Sequence, residues 1–344
     1  MQIRNTSMQK LLLLLLLTVA IFCSPVVHAD TVRTQTIEIE EGWNAVYLEV
    51  GPAEPEPATV FEETPIDIAA AYLTPDSSAQ FVINPGADLF RQTGWAVWYA
   101  GDRPDSFLKT LHAILGQQAY LIHSKAAFTW RVTGTVEKAE ANWQPDAYNF
   151  VGFSVDAVAA PTFSQFFAGS EAHDQGRIYR LVNGAWKKVT VPDGENMRSG
   201  EAFWVYCDGS SDYPGPLGVE TTSRFGVMAL SAGAELVLRN ETPHPVTPTL
   251  EHVASGTNSV PLAVIIQAVS ATNDPIKQVA AAFPDGNWTQ DLPALEAGTA
   301  LRVPLTARVE DMTEVIHASL LKISTDLGTE VWIPVVGIRE SSGE

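Results

Sequence analysis

Trp43-Asn44-Ala45-Val46-Tyr47-Leu48-Glu49-Val50 returns further along the chain as Tyr148-Asn149-Phe150-Val151-Gly152-Phe153-Ser154-Val155. Each copy leads to a segment with Thr and Phe, Thr59-Val60-Phe61 and then Pro161-Thr162-Phe163. Each then reaches a Gly-led aromatic run, Gly116-Gln117-Gln118-Ala119-Tyr120-Leu121-Ile122-His123 and Gly200-Glu201-Ala202-Phe203-Trp204-Val205-Tyr206. Alternating apolar residues, aromatics and glycine are what recur, and they mark a duplicated unit of packing and turning. No acid, base or nucleophile repeats with them. The reading that follows is a duplicated β-rich domain over residues 30–220, with units of about 30–140 and 141–220.

Short alternating runs fill these units. Thr36-Ile37-Glu38-Ile39-Glu40 and Phe128-Thr129-Trp130-Arg131-Val132 have period two, and Glu41-Gly42 reads as a hairpin turn into the first repeat strand. The prolines between Gly51 and Pro57 make a loop, because each lacks a donor for a ladder. Two helices are predicted. Pro104–Leu115 puts Phe107, Leu108, Leu111, Ile114 and Leu115 on one face ahead of Gly116, and Thr162–Phe167 is a shorter candidate. Aligning Tyr72 and Trp95 with Tyr179 and Trp186 gives the first unit an insertion around Pro75–Thr93, expected to be a surface loop.

Six strand-like runs follow Thr221: Phe225–Ala229, Glu235–Arg239, Leu262–Gln267, Ala300–Leu305, Ile316–Ile323 and Glu330–Val336. Turn residues such as Asp285-Gly286-Asn287 separate many of them, which argues for a β-sandwich over 221–340. Leu236-Val237-Leu238-Arg239-Asn240-Glu241-Thr242-Pro243, with Gly328-Thr329-Glu330-Val331-Trp332-Ile333-Pro334-Val335, resembles the immunoglobulin-like sandwiches of bacterial surface proteins. The repeats resemble modules of uncharacterised exported bacterial proteins. These resemblances imply architecture and no activity. The expected fold is mainly β: a duplicated β-rich domain with a few short helices, then an immunoglobulin-like sandwich.

The opening 29 residues read as a signal peptide. Arg4 and Lys10 precede the apolar run Leu11–Cys23, and Val27-His28-Ala29 offers a cleavage site before Asp30. That run is 13 residues long, short of the roughly 20 that span a bilayer. The chain carries 21 Lys and Arg against 40 Asp and Glu, a net charge of −19, and cleavage would remove two of those bases. Such a chain repels phosphate backbones, so nucleic acid is excluded as an expected partner. Cleavage would also remove Cys23 and leave Cys207 without an intramolecular partner. A large exported domain without disulfides points to a bacterial envelope protein placed in the periplasm, at the cell surface or outside the cell.

Motifs that carry chemistry are sparse. Gly152-Phe153-Ser154-Val155-Asp156 begins like a nucleophile elbow, but Asp156 replaces the glycine that the turn needs. His112, His123, His173, His244, His252 and His317 show no metal-binding spacing, and His244 and His252 flank a proline-rich loop, where loop or surface roles are expected. Asp193-Gly194-Glu195-Asn196 and Asp208-Gly209-Ser210-Ser211-Asp212 carry oxygen ligands but read first as turns. No phosphate-binding glycine loop is present, so no cofactor is expected. Among nine tryptophans, Trp43, Trp130, Trp204 and Trp332 sit in alternating strands and are expected in the core.

Trp95-Ala96-Val97-Trp98-Tyr99 differs, since spacing by three crosses the faces of a strand. At least one of Trp95 and Trp98 is therefore expected to be exposed. Trp95, Trp98 and Tyr99 are the candidate ligand-binding residues, with no catalytic or metal residues expected. The reading is a non-catalytic interaction or structural module with a protein partner in a larger envelope assembly. Carbohydrate binding through exposed aromatics is the first alternative. A secreted hydrolase, with distant carboxylates such as Asp102 and Glu201 converging, is the second.

Overall fold

The computed structural model describes residues 31–73, 94–173, 176–222, 227–268 and 277–339. The predicted signal peptide and the inserted segment around Pro75–Thr93 lie outside these residues. The chain is mainly β, with several antiparallel sheets and, among the described residues, two short α-helices.

The first unit contains Val32–Ile39 (β1), Gly42–Leu48 (β2), Val50–Pro52 (β3), Pro57–Val60 (α1), Ile66–Tyr72 (β4), Trp95–Tyr99 (β5), Gln118–Ser124 (β6) and Phe128–Val136 (β7). The second contains Ala147–Gly152 (β8), Phe163–Phe167 (α2), Ile178–Val182 (β9), Ala185–Lys188 (β10) and Ala202–Cys207 (β11). Four strands of the first unit form a sheet in the order β2-β6-β4-β5, and the second unit forms one in the order β8-β11-β9-β10. In both, the first strand pairs with the fourth and the second with the third, with a short helix between strands one and two. The duplication read in the sequence is thus a duplication of topology.

Residue pairing corrects the alignment in three places. Tyr47 pairs with Ala119 and Gly152 with Ala202, so the equivalent of Gly200 is Gln117, not Gly116. Both stand in the left-handed region, Gln117 at φ 56° and Gly200 at φ 74°. Tyr72 pairs with Trp95 and Leu181 with Trp186, so Leu181 replaces Tyr179 as the counterpart of Tyr72. The backbone N–H of Ile114 donates to Pro55 and that of Met197 to Pro161, which aligns helix N-caps Glu56 and Thr162. Thr162 closes a full capping box with Gln165, and Glu56 makes no side-chain cap.

A polar residue also repeats, with the same task. The Glu40 N–H donates to Asn44 Oδ1 at 2.9 Å, and Asn44 Nδ2 donates to the carbonyls of Glu40 and Gly42. The Gln144 N–H donates to Asn149 Oδ1 at 2.7 Å, and Asn149 Nδ2 donates to the carbonyls of Gln144 and Ala147. Each amide fixes the bend by which the chain enters its first repeat strand. The bend at Glu41-Gly42 is therefore not a hairpin. β1 leaves that sheet and pairs with β7 in a three-stranded sheet, β1-β7-β3.

Both faces of the first unit's sheet are covered. One packs on β1 and β7 around Ile37, Trp98, Ile122 and Trp130. The other packs on the second unit's sheet through Tyr72, Trp95, Leu121, Phe150 and Trp204. The outer face of the second sheet is closed by α2, Trp143 and Tyr213 around Phe203 and Cys207. The helix predicted over Pro104–Leu115 is reduced to one turn of 3₁₀ helix at Ser106–Leu108, with Phe107 79% exposed. The rest of that segment seals the open edge of β5. Thr110 and Leu111 donate to the Val97 carbonyl, and Thr110 Oγ1 accepts from the Val97 N–H. Hydrogen bonds to a sheet edge replace those of a helix there.

The last part is a β-sandwich. Leu217–Thr221 (β12), Met228–Ala229 (β13), Ala234–Asn240 (β14), Pro248–Ala254 (β15), Leu262–Ala268 (β16), Lys277–Ala282 (β17), Trp288–Asp291 (β18), Ala300–Ala307 (β19), Ile316–Thr325 (β20) and Glu330–Ile338 (β21) form its two sheets. Their orders are β12-β14-β19-β16-β17 and β13-β21-β20-β15-β18. Leu236, Leu238 and Leu305 of one sheet meet Leu250, Leu321 and Ile333 of the other. The sandwich takes its first strand from residues before Thr221, because β12 pairs with β14.

Candidate functional site

Trp95, Trp98 and Tyr99 are all buried. Trp95 and Tyr99 belong to the core between the two repeat sheets, where Trp95 lies 5.4 Å from Tyr72 and 5.9 Å from Phe150. Trp98 points to the opposite face, 5.1 Å from Phe61. The two rings do cross faces, as their spacing requires. The expectation that one of them is exposed is corrected, because a sheet covered on both sides has no solvent face.

A crevice of about 900 Å³ lies instead where the two units and the sandwich meet. Its walls include Arg33 of β1, Glu49 between β2 and β3, Ser154 after β8, Trp143 and Tyr213 of the connecting segments, and Glu330 and Trp332 of β21. Glu49 is only 3% exposed. Its carboxylate is paired with Arg33, and its backbone N–H donates to Gln35 Oε1 at 2.8 Å. Burial pushes its pKa up, and the charge of Glu330 adds to this, against the lowering by Arg33 and a hydrogen bond with Ser154. The Arg33 guanidinium stands 4.5 Å from the Trp332 ring centre, and Lys322 is 5.4 Å from the same ring. Lys322 pairs with Glu330 at 2.7 Å.

Glu49 and Ser154 are equivalent positions of the repeat, and so are Tyr47 and Gly152. The members of each pair touch: Ser154 bonds Glu49, and a side chain on Gly152 would overlap the Tyr47 ring. The pseudo-twofold relating the units therefore passes beside this crevice. Sequence reading named Ser154 for an elbow and overlooked Glu49. The one available signal was that an acid stands opposite a serine in an otherwise apolar repeat.

Each of the two carboxylates expected to converge is paired with a cation of its own unit. Asp102 pairs with Lys125 at 2.7 Å on the surface of the first unit, and Glu201 pairs with Arg180 in the second. Several acids line the crevice, and Glu49 and Glu330 are the two that stand beside Arg33 and Trp332. A second polar cluster sits at a β-bulge in β4, where Asp67 is 2.6 Å from His123 Nδ1 and 2.8 Å from Arg103. Arg103 also grips Asp105, and Trp43 meets the His123 ring edge-on at 5.2 Å. In the second unit the position of His123 is Tyr206, with Arg177 stacked on it at 3.5 Å. The polar constellation thus belongs to one copy alone.

His252, expected in a loop or at the surface, is buried, and so are His173 and His317. Ser170 Oγ lies 2.6 Å from His173 Nδ1, inside an aromatic setting of Trp143 at 4.1 Å and Phe167 at 5.0 Å. Burial lowers the pKa of His173 to about 4. Gly194 closes a turn by donating to the Val191 carbonyl, while 208–212 is irregular with a bend at Gly209, whose N–H donates to Asp146 Oδ1. Among the described residues, no three His, Cys, Asp or Glu side chains gather as a metal site, and no helix is long and apolar enough to cross a membrane.

No family model matches the chain, and no curated protein does. Among solved structures, it is similar to Escherichia coli alpha-2-macroglobulin activated by porcine elastase, at 11% identity and a TM-score of 0.20. That similarity covers 90% of this chain and 33% of the other, so the chain spans about a third of that structure's length.

Proposed function

We propose that this chain is an exported, non-catalytic interaction or structural module of a bacterial cell envelope or extracellular assembly. In this reading, an immunoglobulin-like sandwich and the duplicated β-rich part act as one rigid body toward a protein partner. The observation that supports it best is how the three parts interlock. The Glu330 N–H donates to the Ser154 carbonyl at 3.0 Å, and the Asp156 N–H donates to that of Gly328 at 2.9 Å. Leu320 of the sandwich completes the core of the first unit. A side chain on Gly169 would overlap the Glu241 carbonyl, and one on Gly328 that of Ala159. Backbones that approach this closely suit a spacer that must hold its shape.

Trp332, one of the aromatic residues lining the crevice, is already covered by Arg33 and Lys322, which counts against a sugar stacking on that ring. Photo-crosslinking in the native envelope tests the proposal, with the crosslinker at Val158, which is 97% exposed on an ordered turn. The expected result is one discrete protein adduct on a mature chain that begins at Asp30. Turnover of a polysaccharide, abolished by Glu49→Gln with the fold retained, would overturn it in favour of the hydrolase.

A further inference from the structure

The turn Glu171–His173 sits beneath two connectors. One is the segment from β7 to β8, which carries Trp143, and the other runs from β11 to β12, which carries Tyr213. Trp143 Nε1 donates to the Tyr213 carbonyl at 2.8 Å, tying the connectors together. His173 packs against both rings, at 4.1 Å from Trp143 and 6.3 Å from Tyr213. Trp143, Ser170 and Tyr213 also line the crevice. We infer that His173 is an acid-sensitive latch behind the crevice wall, and that its protonation frees the two connectors and widens the crevice.

Among the described residues, none accepts a hydrogen bond from a second ring proton in place. Ser170 Oγ serves Nδ1, while Nε2 is buried without a hydrogen-bond partner. The charged groups described around it are directed elsewhere. Glu171 on the same turn faces solvent, and Asp208 at the end of β11 pairs with Arg177. Asp146 on the first connector accepts from the Gly209 N–H, and Glu241 of the sandwich lies 3.8 Å from Arg239. The Cys207 thiol donates to the Gly209 carbonyl, and the Tyr213 hydroxyl to that of Phe166. None of these reaches Nε2. An imidazolium would therefore bury an unpaired N–H, and the ring must leave its box to be hydrated.

The direction follows from linkage. The closed state holds the proton weakly, at a pKa of about 4 against an ordinary 6.5, so opening gains as pH falls through the interval between them. Between about pH 7.5 and about pH 5 the opening constant rises about thirty-fold. Hydrogen exchange of the full chain, corrected for the intrinsic pH dependence, reads this at peptides covering 137–146 and 208–216. The expected result is a loss of protection of that order in both connectors, with β19 and β20 unchanged. His173→Phe and His173→Gln should abolish the difference. Connectors in the wild type no more pH-sensitive than those strands would overturn the latch, as would an unaltered response in either variant. Should neither variant fold, the wild-type histidine titration by NMR decides: a pKa near 4 supports the latch and an ordinary value overturns it.

Discussion

Trp204→Ala tests whether the two repeat units share one core. Trp204 is fully buried at the centre of the aromatic layer. Its ring lies 4.9 Å from Phe150 and 6.3 Å from Trp186 of its own unit, and 5.0 Å from Tyr72 and 6.3 Å from Trp95 of the other. A buried indole removes roughly 200 Å² from water, worth about 5 kcal/mol at about 25 cal/mol per Å². That figure is an upper value for an extended unfolded chain, and partial collapse of the cavity brings the expected loss to about 3–5 kcal/mol. Urea unfolding followed by near-UV circular dichroism measures the loss, and hydrogen exchange locates it. Protection should fall in β4 and β5 of the first unit as well as in β8 and β11. A loss below about 1.5 kcal/mol, or protection lost from the second unit alone, would refute a shared core.

Arg33→Ala leaves the buried Glu49 carboxylate without its cation and is expected to cost about 3–5 kcal/mol in urea at neutral pH. The Glu49 pKa is raised by burial, so the folded chain binds that proton more tightly than the unfolded one. The cost of Arg33→Ala should therefore shrink as pH falls into the carboxylate range, and a cost independent of pH would contradict this account. Gly169→Ala places a methyl group against the Glu241 carbonyl and should separate the second unit from the sandwich. Limited proteolysis is expected to cut the 208–216 connector faster in this variant, while an unchanged digestion pattern would show that the contact yields without consequence.

Much of the β architecture was legible because period-two alternation and turn residues are local signals. The repeat carried the shared topology of the two units, and the short helix candidate at Thr162–Phe167 is present as Phe163–Phe167. Pro104–Leu115 misled because its apolar spacing suits a helix, whereas the unmet need was a cover for the β5 edge, a tertiary demand. The burial of both Trp95 and Trp98 was written in the unbroken apolar run Trp95–Tyr99, which is how strands buried on two faces read. The crevice was beyond reach. Glu49 becomes a charged site only when Arg33 and Trp332, from opposite ends of the chain, arrive beside it.

The seat of Leu320 has a consequence for how this chain acquires its shape. Ile37, Trp98 and Trp130 wait for a residue from the penultimate strand of the sandwich before their core is whole. Arg33 waits likewise for Trp332. A chain emerging N-terminus first therefore cannot finish the core of its first repeat unit until Leu320 and Trp332 have been made. Contacts of such long sequence separation are slow to close. The order of synthesis and the order of consolidation run in opposite senses: what is made first is sealed last.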